Sequence, residues 1–218
     1  MKKTLLFLPL LLWLAVSFTA CEEVSEPGKY DNWRSRNDAF VDSLAAAMAA
    51  EHFSSPLSAY VTTAAQADAM ELGKLYAIKV ESTSSSEGAE YVYCRKLVKN
   101  PGGERPNYVG YHSTVNAYYY GTFINGESFD GNFEGYTAQD ANIPLPPAKA
   151  PTEFDSYTTF DVSGVIPGWT WALQYMTVGE RWMVYVPWYS AYGSNDQGLV
   201  KGFSTLAFDI VLDSFEEE

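Results

Sequence analysis

The side chains of the types that attack a carbon, carry protons or bind metal form no constellation along this chain. His52 and His112 lie in separate regions, with no carboxylate or cysteine at ligand spacing, and no glycine-rich phosphate loop occurs. Cys94 alternates within an apolar stretch, which is the place of a small buried hydrophobe rather than a nucleophile. What the chain offers is the chemistry of an apolar, aromatic pocket. Residues Val165–Met176 read V-I-P-G-W-T-W-A-L-Q-Y-M. A β-branched pair runs into a Pro-Gly turn and then a helix of one to two turns. Trp169, Ala172, Leu173 and Met176 stand at i, i+3, i+4 and i+7, so a tryptophan and a methionine share one buried stripe. Such a unit can floor a pocket if other segments supply the walls.

The walls must come from strands. From Gly73 the pattern has period two: Tyr76, Ile78 and Val80 alternate, Ser82–Gly88 reads as a loop, and Tyr91–Val98 as a second strand. Val115, Ala117, Tyr119, Gly121 and Phe123 share one face of a third, and Asn125-Gly126 is a hairpin signal. Residues 131–159 are rich in turns and proline, and a loop of that length inside a compact domain is unusual and often functional. Trp182, Val184 and Val186 alternate up to Pro187. Leu206, Phe208, Ile210 and Leu212 line one face of the last strand. Ahead of the strands, residues 31–53 predict a helix capped by Asp31 or Asn32, with Trp33, Phe40, Val41, Leu44 and Met48 near one stripe. A second helical stretch is expected near Ala59–Leu72. The class is α+β with a mostly antiparallel sheet.

The chain has 218 residues, a net charge of −13, and 16% aromatic residues with 16 tyrosines. An acidic chain argues against nucleic acid as a partner and against anionic lipid surfaces. Lys2 and Lys3, the apolar run Leu5–Val16 and the small residues after it read as a secretory signal over residues 1–20. Phe18-Thr19-Ala20-Cys21 resembles a bacterial lipobox, with Phe18 where leucine is usual. The expectation is a lipid-anchored envelope protein whose Cys21 carries the acyl chains, and residues 21–30 form an acidic tether. The helical segment 31–72 could pack on the main domain, 73–218, or form a homodimer contact.

Several motifs fall in one order: Tyr119-x-Gly121, Asn125-Gly126-x-x-Phe129-Asp130, Val165-Ile166-Pro167-Gly168-Trp169, Ala172-Leu173-x-x-Met176-x-x-Gly179, Val186-Pro187, Ala191-Tyr192-Gly193 and Leu206-x-Phe208-Asp209. The ordered set, over about residues 92–215, resembles the FKBP-type peptidyl-prolyl cis–trans isomerase domain. The resemblance implies a five- or six-stranded antiparallel sheet curved around a short helix, with an aromatic pocket for an Xaa-Pro bond and no cofactor or metal. Tyr119 then resembles a pocket-wall tyrosine, and Val165 and Ile166 the pair whose backbone binds peptide. Trp169 looks like the floor, Tyr192 the tyrosine whose hydroxyl reaches a ligand carbonyl, and Phe208 the far wall.

For the Phe-Asp pair, Phe129-Asp130 has the family's distance from Tyr119, whereas Phe154-Asp155-Ser156 has its Phe-Asp-Ser character. Asp130 is favoured, Asp155 stays open, and the segment 131–159 is an insertion. Phe160 stands near the family's additional aromatic wall, and Ala191 and Val200 near its substrate contacts. The last loop, Ser194–Ser204, departs from the family's Ile-Pro-Pro-Asn pattern. The implied activity is isomerisation of Xaa-Pro bonds in exported or envelope proteins. The alternative is an FKBP-like binding module for a peptide, a glycan or a partner lipoprotein.

Overall fold

The computed structural model describes residues 28–81, 90–106, 113–140 and 149–216. The lipobox with Cys21, the loop 82–88, His112 and the proline cluster at 144–147 lie outside the described residues. Contacts divide the chain at Asp31. Gly28–Asp31 form a turn in which the Gly28 N–H donates to the Asp31 carboxylate; the rest belongs to one body.

That body opens with helix α1, Trp33–Glu51. Asn32 is its N-cap in the left-handed region, which asparagine tolerates better than most residues, and its side chain makes no capping bond. The second helix is shorter than its alanine content suggests. Residues 56–59 form a 3-10 turn, Tyr60–Val61 form strand β1, and only Ala64–Ala69 are helical, as α2. β-branched Val61 and its neighbour Tyr60 pair parallel with β2, Leu75–Val80, because tertiary pairing outweighs local helix propensity. The segment 31–72 therefore contributes a strand to the sheet as well as helices.

The remaining strands are β3 (Glu90–Val98), β4 (Thr114–Phe123), β5 (Ser128–Gly131), β6 (Thr158–Asp161), β7 (Arg181–Val186) and β8 (Leu206–Glu216). They follow the order β1-β2-β3-β7-β8-β4-β5, with β6 also paired to β4. The eight strands exceed the five or six that the resemblance implies, and β1–β2 is a parallel pair. All other pairs are antiparallel.

Period-two patterning divides two cores across the sheet. Tyr76, Ile78, Val92, Cys94, Ala117, Val184, Phe208 and Ile210 face the short helix α3, Pro167–Leu173. Leu75, Ala77, Tyr93, Met183, Tyr185 and Ala207 face the other way, onto Leu44 and Met48 of α1. The apolar stripe of α1 is thus spent on its own sheet. Strand β7 is buried along its whole length, as a strand covered on both faces must be. Gly168 lets α3 lie this close: a Cβ there would sit 2.3 Å from a Val186 methyl and 3.0 Å from one of Val92.

The insertion has a defined place. β5 pairs with Tyr120–Thr122 of β4 and β6 with Thr114–Ala117, so both lie along the same edge of β4. Between Gly131 and Thr158 the described residues are 132–140 and 149–157. Phe133, Tyr136 and Ala138 are buried, the last two in the core that α1 covers.

Candidate functional site

Pro167 at the first helical position and extended Ile166 before it turn the chain sharply into α3. Trp169 then points inward from the first turn, while Ala172, Leu173 and Met176 fill the core below, as the helical spacing predicts. Three rings meet the Trp169 indole edge to face: Phe160 from β6 at 5.2 Å between centroids, Phe208 from β8 at 5.3 Å and Tyr119 from β4 at 5.5 Å. Tyr119 and Phe160 also meet each other at 5.4 Å. Edge-to-face contacts of this kind fix ring orientation and contribute about 0.5–1.5 kcal/mol each beyond buried area.

These rings bound a cavity of about 250 Å³, lined by Tyr119, Asp130, Phe160, Gly164, Val165, Ile166, Trp169, Tyr192 and Phe208. The floor is hydrocarbon, and polar groups stand at the rim. The Trp169 indole N–H is buried with no hydrogen-bond partner among the described residues, a donor that a bound carbonyl could satisfy. Burial and a hydrogen bond to the Asp130 carboxylate push the Tyr119 phenol well above its ordinary range. Burial, followed by the negative charge of Asp130, also raises that of Tyr192. Both hydroxyls therefore stay protonated as donors at neutral pH.

The two Phe-Asp pairs stand in different places. Asp130 lines the cavity, while Asp155 accepts from the Thr152 N–H at 2.7 Å and the Thr152 hydroxyl at 2.8 Å in an exposed turn. Phe154 is 89% exposed beside it. Neither lines the cavity. Phe129 stands behind the wall rather than in it: it packs edge to face on Phe208 at 5.6 Å and beside Phe123 at 5.0 Å. Gly121 leaves room for that stack, since a Cβ there would lie 2.8 Å from the Phe129 ring and 3.1 Å from Phe208.

Val200 is buried in the core and Ala191 packs against it; neither lines the cavity. Their loop closes on itself. Gln197 and Val200 exchange backbone hydrogen bonds, and Asp196 pairs with Lys201 and accepts from the Gly202 N–H. Tyr192, 44% exposed, is the part of this region that reaches the cavity. His52 is buried against Tyr76, with Nε2 2.9 Å from the Leu75 carbonyl, and takes no part in the cavity. Cys94 is a buried thiol whose ionisation burial pushes far up, as suits a core hydrophobe.

Two features behind the walls escape a reading of the sequence. The Asn132 side chain spans the gap between β5 and β6, and the Asp209 carboxylate is buried against Arg181 with bonds of 2.8 and 2.5 Å. An asparagine after a strand-ending glycine was the only signal for the first. An acid between apolar neighbours, at an outward position of the last strand, was the signal for the second.

Residues 107–213 match the model of the FKBP-type peptidyl-prolyl cis-trans isomerase family. The chain is 37% identical over 123 residues to the outer membrane protein MIP of Legionella longbeachae, covering 56% of this chain and 43% of that protein. It is 29% identical over 140 residues to the FKBP-type peptidyl-prolyl cis-trans isomerase FkpA of Aeromonas hydrophila, covering 64% of this chain and 42% of the relative. The crystal structure of FkpA from Escherichia coli is 26% identical with a TM-score of 0.43, covering 62% of this chain and 51% of that one. The chain spans less than half the length of the two curated relatives.

Proposed function

Since residues 107–213 match the FKBP-type peptidyl-prolyl cis–trans isomerase family, we propose that the whole chain is a working isomerase that turns Xaa-Pro bonds of exported proteins in the cavity above Trp169. The observation that carries this is the enclosure of the Trp169 indole by Tyr119, Phe160 and Phe208 below a rim of hydrogen-bonding groups.

Peptide-bond resonance sets a rotation barrier of about 18–20 kcal/mol, and for Xaa-Pro the uncatalysed exchange takes roughly tens to hundreds of seconds. The planar amide is the more charge-separated form and prefers water. A hydrocarbon pocket that seats the proline ring disfavours it relative to the twisted amide, in which nitrogen and carbonyl are less conjugated. Trp169, Phe208 and Tyr119 supply the pocket. The Asp130 carboxylate and the Tyr192 hydroxyl hold the flanking peptide so that one bond alone turns. No proton moves and no covalent bond forms.

Envelope location is supported by the secretory signal and lipobox read from residues 1–21 and by the MIP relative, itself named an outer membrane protein. In this reading Cys21 is the lipid-anchored residue.

A second reading, a non-catalytic module that binds a peptide, a glycan or a partner lipoprotein, is favoured by one feature. The 194–204 loop is tied to itself and Val200 is turned into the core. A protease-coupled isomerisation assay on short Xaa-Pro peptides, run beside Trp169→Leu, separates the two. Acceleration that the substitution abolishes supports the isomerase. No acceleration by a cooperatively folded wild type would leave the binding module.

A further inference from the structure

The break in the edge strand beside Tyr119 is spanned by one side chain. Asn132 follows β5, where the chain leaves the sheet. Its Oδ1 accepts the Tyr119 N–H at 2.9 Å, and its Nδ2 donates to the Ala117 carbonyl at 3.0 Å. Its own N–H donates to the Tyr119 carbonyl at 3.0 Å. Nδ2 also donates to the Thr158 hydroxyl at 3.0 Å, where the chain re-enters the edge as β6. The amide thus supplies the ladder bonds that an unbroken strand would give to Ala117 and Tyr119, and it ties both ends of the insertion to them. Without it the backbone of Tyr119 would meet only one of these partners.

The insertion is held a second time behind the opposite wall. Phe208 faces the cavity and Asp209 faces away, where it accepts from Arg181 and from the Tyr136 N–H at 2.7 Å. Arg181 also donates to the Lys149 carbonyl and lies over the Phe133 and Tyr136 rings. The described parts of the insertion therefore grip β4 behind Tyr119 and β8 behind Phe208.

We infer that Asn132 is a positioning residue: it holds the Tyr119 wall in register and thereby makes the ends of the insertion, at Asn132 and Thr158, part of the machinery that shapes the cavity. This rests on the isomerase reading of the same cavity. Tyr119 touches the peptide; Asn132 acts only through it. A displaced wall harms a cavity complementary to the twisted amide more than it harms ground-state binding, so the loss falls on kcat rather than KM.

The test compares the wild-type full chain with its Asn132→Ala and Thr158→Val variants, by amide hydrogen exchange and by steady-state isomerisation of an Xaa-Pro peptide. In Asn132→Ala the Tyr119 amide should exchange at least ~100-fold faster while Val184 and Ile210 amides in β7 and β8 keep their protection, since local opening costs less than global unfolding. kcat should fall about tenfold with KM changed less than about twofold, a ~1.4 kcal/mol loss confined to the transition state. Thr158→Val, which keeps both bonds to β4, should fall between the two. Unchanged Tyr119 exchange, or equal acceleration of all three amides, overturns the inference. So does a kcat within twofold of an active wild type. If the wild type shows no isomerisation, the isomerase reading fails by itself, and the local exchange pattern still decides whether Asn132 holds the wall.

Discussion

Phe208 and Asp209, neighbours on β8, serve opposite faces of one sheet: the ring closes the cavity against Trp169, and the carboxylate is buried against Arg181. The pairing makes one wall of the cavity depend on a buried ion pair that never meets the ligand. Asp209→Asn leaves the Arg181 guanidinium buried beside a neutral amide. Breaking such a pair costs about 3–5 kcal/mol. Urea denaturation should show that loss as a lower midpoint with an unchanged slope; a change below about 1 kcal/mol would mean that water reaches the site.

Replacing the floor tests the cavity itself. Trp169→Leu keeps an apolar side chain but removes the ring on which Tyr119, Phe160 and Phe208 converge. Catalytic efficiency towards Xaa-Pro peptides should drop by ~10-fold or more, because the lost contacts are those that distinguish the twisted from the planar amide. Efficiency within twofold of wild type would place the reaction elsewhere.

Tyr192 separates binding from stability. Its hydroxyl stands at the rim on a half-exposed side chain. Tyr192→Phe should leave stability within about 0.5 kcal/mol and weaken peptide binding by roughly three- to tenfold, the worth of one hydrogen bond. Titration calorimetry with a proline-containing peptide reads the second quantity, and thermal unfolding the first.

The pH profile should be flat. Burial and the Asp130 hydrogen bond raise Tyr119 above the ordinary phenol value of 10.0, and burial with the Asp130 charge raises Tyr192. A phenol raised in the folded state keeps its full contribution below pH 10.0 and loses it as pH climbs through the folded value, so neither hydroxyl ionises on the neutral side. Isomerisation should vary less than about twofold between about pH 6 and pH 9. A bell-shaped profile in that window would point to proton transfer, against the mechanism proposed.

Gly121 is a spacing device. A methyl there would press on the Phe129 ring at 2.8 Å and on Phe208 at 3.1 Å. Gly121→Ala should cost about 1–3 kcal/mol as an overpacked core and push Phe208 towards Trp169. Reduced peptide affinity in a folded protein would show the narrowing; unchanged affinity would show that Phe129 yields instead.

Much of this was legible in the chain. The faces of β4, β7 and β8 follow from period-two alternation, and the depth of Trp169 follows from helical spacing, because one buried side fixes register. The ordered motifs put Tyr119, Val165, Ile166, Trp169, Tyr192 and Phe208 around one cavity, and the spacing from Tyr119 favoured Asp130. Other features depend on partners far along the chain. Tyr60 and Val61 became a strand because β2 offered them an unpaired edge. Phe154-Asp155 had the right residue types but the wrong side of the insertion. Asn132 carries no periodic signal, since its role exists only once β5 and β6 have both met β4.

The family match begins at residue 107, yet β1, β2 and β3 all precede it, and Val92 of β3 backs Gly168 at the start of the helix under the cavity. The segment that matches the family model is therefore less than what can stand alone. A fragment cut at residue 107 would strip β7, buried along its full length, of its partner β3 and turn it into an open edge. Bare edges recruit other chains. The fragment should self-associate, and an assay on it would measure its aggregation rather than its chemistry.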